Sequence, residues 1–99
     1  MPRKKCKRHI AGTPSCTYYK PAGIPMNALS EVIIHLDEIE AIKLADLEKN
    51  YQEEAARKMN ISRQTFGRII ESAHQKIADA LINGKSIKIH GGNVELKED

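Results

Sequence analysis

The stretch YQEEAARKMNISRQTFGRII, residues 51–70, reads as two helices joined by a tight corner. Its apolar positions are Ala55, Met59, Ile61, Phe66 and Ile69, and Ala56 stands where two helices would touch. Met59 lies one turn beyond Ala55, so both can face the same way. Asn60 falls at the corner, and Asn tolerates left-handed backbone better than most residues other than Gly. Ser62 is placed to cap the next helix, its hydroxyl taking up a free N–H of the first turn. Phe66 and Ile69 then turn inward, which leaves Arg63, Gln64, Gly67 and Arg68 pointing outward. This is the pattern of a helix-turn-helix, whose second helix enters the major groove of DNA.

Toward the C-terminus, that second helix runs from Ser62 to about Asn83. Phe66, Ile69, Ile70, Ala73, Ile77, Ala80 and Leu81 recur at three- and four-residue steps. About 22 residues make a rod of roughly 33 Å, longer than groove reading requires. The first half is expected to address DNA and the second half to pack. The stripe reaching Leu81 needs a cover, either the N-terminal segment or a second copy of the chain. Gly84 ends the helix as a C-terminal cap. Residues 86–91, SIKIHG, alternate polar and apolar and read as a short strand. Its partner could be residues 32–36, residues 7–11 or a second subunit. The tail from Asn93 is expected to fray.

Toward the N-terminus, residues 37–49 form a first helix. Asp37 and Glu40 have capping-box spacing, and Ile39, Ile42, Ala45 and Leu47 supply an apolar face. Asp37, Glu38 and Glu40 gather near its N-terminus, where the helix dipole favours them. An anionic surface of that kind is unsuited to DNA, so the helix is expected to brace the two that follow. Residues 27–36 fit either an extended segment, through Val32, Ile33 and Ile34, or the start of a helix; extended structure ending at Leu36 is favoured. Pro21, Gly23 and Pro25 forbid regular structure over 17–25. Tyr18 and Tyr19 anchor that loop or stack on a base or sugar. A short extended piece fits 7–11, and residues 1–8 form a basic tail that orders on binding. The chain thus divides into a basic arm and Pro/Gly loop (1–30), a mainly α, three-helix helix-turn-helix domain (31–84) and a short strand with its tail (85–99).

With 99 residues, 40% of them apolar, no Trp and one Phe, the core must be aliphatic. No apolar run approaches membrane-spanning length and nothing resembles a secretory signal, so a soluble cytoplasmic protein is the default. The net charge of +3 hides a pattern. Residues 1–30 carry six basic groups and no acid, 31–54 two basic and eight acidic, 55–90 seven basic and two acidic, and 91–99 one basic and three acidic. Two basic blocks around an acidic one suit a protein presenting one face to a polyanion; ordinary solvated surface gives the same pattern.

Two cysteines are too few for a disulfide framework. Cys6, His9 and Cys16 are zinc-type ligands, and His35 or His90 could complete the four that a site needs. Reduced thiols and a solvated His are the plainer reading, so no metal and no cofactor is assigned. His74 reads as a surface residue. An enzyme has little support: no nucleophile has a placed base, and no Gly-rich loop cradles phosphate.

The run YQEEAARKMNISRQTFGRIIESAHQKIADAL resembles the DNA-binding fourth region of bacterial sigma factors and its relatives, where a helix similar to DEIEAIKLADLE precedes the helix-turn-helix. More closely, PRKKCKRHI, YYKPAGIP, LDEIEAIKLADLE, YQEEAARKMNISRQTFGRI and GKSIKIHGG resemble a family of small prokaryotic proteins described only as predicted to bind DNA. That resemblance covers nearly the whole chain and implies a function class without a target. Asn60 stands where such corners most often carry Gly.

On this reading Arg63 meets a base edge, its fork suiting guanine, and Gln64 suits adenine. Gly67 lets the backbone approach the groove. Arg68, Thr65, Ser62 and Gln52 hold phosphates, and Arg57, Lys58 and Lys76 add field strength. Arg3, Lys4, Lys5, Lys7 and Arg8 follow the backbone or enter a minor groove. A homodimer reading two half-sites is expected, because one small module rarely gives enough affinity. The expected role is transcription regulation. The alternative is a small metal- or redox-responsive module that contacts a protein such as RNA polymerase without reading DNA.

Overall fold

Three helices occupy the middle of the chain, and strands from its two ends close over them. The computed structural model describes residues 7–97. Helix α1 spans Leu36–Ile42 and runs on through a π-helical turn, Lys43–Leu47. Helices α2, Gln52–Lys58, and α3, Arg63–Asn83, follow.

The corner between α2 and α3 forms as its residues dictate. Asn60 takes a left-handed φ of 60°. The Ser62 hydroxyl accepts the Thr65 N–H at 3.1 Å, and Gly84 closes α3 with a φ of 65°. Ala41, Leu44, Ala55, Ala56, Met59, Phe66, Ile69 and Ile70 are buried together where the three helices meet. Ala55 and Ala56 supply the small surface that lets α2 lie close to Phe66.

The start of α1 differs from expectation. Its capping residue is His35, whose N–H donates to Glu38 Oε1 at 2.8 Å. Asp37 instead lies within the first turn, accepting the Glu38 N–H at 3.0 Å. The helix begins early because Leu36 N–H donates to the Gly91 carbonyl at 2.9 Å, directly after a paired strand. Its far end also departs from the pattern. The π turn inserts extra arc, which carries Leu44 into the core and turns Leu47 out to 75% exposure. The helical run ends at Leu47, two residues short of the limit read from sequence, and Lys49 takes a left-handed φ of 64°.

Among the described residues, five short strands frame the helices. β3, Glu31–Ile34, pairs in parallel with β4, Ser86–Ile89, and β2, Tyr18–Tyr19, pairs antiparallel on β4's other side. β1, Arg8–Ile10, pairs in parallel with β5, Val94–Leu96. The β3 residues alternate exposed and buried, and Val32 and Ile34 pack with Ala80 and Ile89 against the second half of α3. The extended reading of 27–36 therefore holds only over β3; a 3-10 turn, Met26–Ala28, precedes it. Two further expectations are corrected. Tyr18 and Tyr19 form a strand, since the Pro/Gly run that forbids one begins only at Pro21. The tail does not fray at Asn93, because the backbone of β1 supplies partners for β5.

This arrangement covers Ile77 and Ala80 but stops there. Leu81 and Ile82 stand 74% and 81% exposed. The second-half stripe of α3 is thus only partly covered within one chain. Among the described residues, no helix is long and apolar enough to cross a membrane.

Candidate nucleic-acid interface

The first turns of α3 stand at the surface. Arg63, Gln64 and Arg68 are exposed, as are Gln52, Arg57 and Lys58 on α2. Arg57 holds only Glu54, at 2.9 Å, in an ion pair open to water, and such pairs are weak and exchange readily. Thr65 is half-buried at the rim. Its hydroxyl oxygen accepts from Ser62 Oγ at 2.9 Å, which leaves the Thr65 proton free to donate outward. Ser62's own hydroxyl is engaged on both sides by the cap. Any phosphate held at Ser62 would therefore meet backbone N–H groups of the helix start. Gly67 is half-buried on that same stretch of α3. A Cβ built there lies 3.7 Å from Gln52 Oε1, so the residue sits against the start of α2.

The acids of α1 are the main correction to the sequence reading. Asp37, Glu38 and Glu40 do not form an anionic surface; all three are buried. Glu38 accepts from Lys76 Nζ at 2.8 Å and Ser72 Oγ at 2.6 Å, both on α3. Burial alone would raise the Glu38 carboxyl, but the hydrogen bonds from Lys76, Ser72 and the His35 N–H, with the Lys76 charge, hold it below the ordinary glutamate range. Asp37 lies 3.9 Å from Arg8 Nε, and Glu40 lies 3.3 Å from Lys43 Nζ. Ser72 and Lys76 are one helical turn apart, so their common face was available to a sequence reading. Their target was not, being 34 and 38 residues away. Lys76 is accordingly a structural partner of Glu38 rather than a free surface charge.

Arg8 connects the N-terminal segment to this region. It lines a cleft with Thr65, Arg68, Ser72 and His35 along one flank of α3. Arg8 Nε is buried and has no hydrogen-bond partner among the described residues. Strand β1 thus delivers the chain beside the first turns of α3. Arg3, Lys4 and Lys5 lie outside the described residues.

Of the candidate zinc ligands, Cys6 also lies outside the described residues. His9 sits in β1 with Glu95 Oε2 at 3.9 Å, and Cys16 is exposed in the loop before β2. No three His, Cys, Asp or Glu side chains gather around a point among the described residues. His74, exposed on α3, contacts Asp46 Oδ2 of the π turn at 2.7 Å.

A family model described as "Protein of unknown function DUF134" matches residues 1–97. The chain is similar to a UPF0251 protein of Prosthecochloris aestuarii, 54% identical over 97 residues that cover 98% of this chain and 63% of that protein. It is also similar to a UPF0251 protein of a Thermoanaerobacter species, 52% identical over 99 residues that cover all of this chain and 88% of the other. A UPF0251 protein of Moorella thermoacetica is 47% identical over 96 residues, which cover 97% of this chain and 64% of that protein. The chain spans less than two thirds of the first and third of these relatives. No solved structure matches it significantly.

Proposed function

The chain belongs to the family described as protein of unknown function DUF134, and from its residues we propose that it binds double-stranded DNA and regulates transcription. Helices α2 and α3 are read as a helix-turn-helix, with α1 bracing them in the manner of sigma-factor region four. Arg63 and Gln64 enter the major groove and meet base edges. Arg68, Thr65 and Gln52 hold phosphates to either side, and Arg57 and Lys58 add attraction. A homodimer on two half-sites would supply affinity that one module lacks.

One observation carries this reading. The cations and amide at the start of α3 are exposed, while Asp37, Glu38 and Glu40 of α1 are buried against Arg8, Lys76 and Lys43; Glu53 and Glu71 stay exposed nearby. Burial of those three acids removes from the surface part of the negative charge that residues 31–54 carry.

The test is selection of bound sites from random duplexes with the full chain, followed by two variants. Arg63→Ala should weaken the selected site more than random DNA, and Arg68→Ala should weaken both alike. Equal losses on both DNAs for Arg63→Ala would remove it as a base reader. Failure to enrich any site would count against sequence-specific regulation.

A further inference from the structure

Beneath the strand pair β1 and β5 lies a cleft of about 360 Å³, walled by Ile10 and Leu44 and rimmed by Lys43, Lys58 and Lys97. Its size falls at the low end for small-molecule sites. The three lysines come from separate places: the π turn, the end of α2 and the residue after β5. No helical or strand periodicity requires them to converge.

We infer that this cleft is a binding site for a compact multivalent anion, a phosphorylated or polycarboxylate small molecule. The lysines elsewhere in the fold show why. Lys76 and Lys85 meet carboxylates at 2.8 and 2.9 Å, the range of charge-assisted hydrogen bonds. The rim lysines have longer contacts: Lys43 to Glu40 at 3.3 Å, Lys58 to Asn50 Oδ1 at 3.4 Å, and Lys97 to Glu95 at 3.7 Å. Three lysines thus line one cleft, each ammonium with donors to spare. The buried Glu40 shares its Oε2 between Lys43 and the Ala11 N–H at 3.4 Å. Glu40 and Glu48, also on the cleft wall, oppose a negative charge seated on the floor, so the site favours an anion whose several charges meet the rim lysines.

The cleft adjoins the corner before α3. His9 N–H donates to the Met59 carbonyl at 2.9 Å, tying β1 to the end of α2 beside Lys58. An anion drawing Lys43, Lys58 and Lys97 together clamps the β1 and β5 pair against that corner. Its effect on DNA affinity rests on the function proposed above; the binding itself does not.

The experiment titrates isotope-labelled full chain with sodium pyrophosphate, and separately with citrate, at about 0.15 M salt, following backbone N–H resonances. The Ala11, Lys43, Lys58 and Lys97 signals should shift along one saturable curve. The double variant Lys43→Gln, Lys97→Gln should keep its dispersed spectrum and bind about tenfold more weakly. Response to pyrophosphate alone assigns the phosphorylated class, and response to both assigns multivalent anions generally. Shifts confined to Arg63 and Gln64, unchanged affinity in the double variant, or no saturable response overturns the site. A duplex-binding arm separates the two readings. Without anion, the single variant Lys97→Gln, which leaves the Lys43–Glu40 pair intact, should bind DNA as the parent does, and saturating pyrophosphate should alter its affinity less than the parent's. Cleft signals that move with duplex and not with either small anion would make this part of a DNA surface and overturn the inference. Loss of all DNA binding alongside intact cleft shifts would overturn the proposed function and leave the anion site standing.

Discussion

Replacing Glu38 by Gln should destabilise the protein by about 2 kcal/mol, and the figure follows from the partners of that carboxylate. Glu38 is buried and accepts three hydrogen bonds, from Lys76 Nζ at 2.8 Å, Ser72 Oγ at 2.6 Å and His35 N–H at 2.8 Å. A hydrogen bond to a charged group contributes roughly 1 kcal/mol more than a neutral one, so three weakened bonds lose about 3 kcal/mol. Relief from burying the carboxylate returns about 1 kcal/mol. Lys76 remains able to reach water, which limits the damage. For a domain of this size the net loss lowers the melting temperature by roughly 8–16 °C. The pH dependence gives a second readout. Glu38 ionises more readily folded than unfolded, so its contribution is full above the ordinary glutamate range and is lost as pH falls through the lowered folded value. The gap between parent and variant should therefore be widest near pH 7 and close on acidification. Thermal melts followed by circular dichroism from pH 7 down to about 3 measure both. A shift under about 2 °C at pH 7, or a gap independent of pH, would refute the account of these buried acids.

Phe66→Ala should cost about 3–5 kcal/mol by opening a cavity where α1, α2 and α3 meet, read from urea unfolding. Ser62→Ala should lose about 1 kcal/mol, because the Thr65 N–H loses its acceptor, and faster amide exchange at Thr65 checks the cause. Gly84→Ala should lose roughly 1 kcal/mol through its left-handed backbone although nothing crowds the position, as the same unfolding assay would show.

The parts legible in the sequence were those set by near neighbours. Asn60, Ser62 and Gly84 fix a corner, a cap and a helix end through their own backbone preferences. The interior of α3 followed from apolar spacing alone. What escaped depended on distant partners. Arg8 pairs with Val94 across almost the whole chain, so nothing local marked the tail as a strand. Asp37, Glu38 and Glu40 resemble solvated acids until Arg8, Lys76 and Lys43 are seen beside them. Leu47 was misplaced because α-helical spacing was applied through a π turn. Leu81 fits the buried stripe by period, but period cannot say how far the covering sheet extends. For the candidate interface, helical spacing sets Arg63, Gln64 and Arg68 outward, and they are exposed, while the contact of Gly67 with Gln52 of α2 depends on how the two helices pack.

The most direct measurement is the salt dependence of binding between the full chain and duplex DNA carrying a selected site, followed by fluorescence anisotropy. Arg57, Lys58, Arg63 and Arg68 offer about four phosphate contacts per chain before base reading is shared out, so log affinity should fall against log salt with a slope of about −3.6. Replacing Arg68 by Ala should make that slope shallower by about 1. No measurable duplex binding at about 0.05 M salt, or binding indifferent to salt and to Arg68, would contradict the claim that this face of α3 meets DNA.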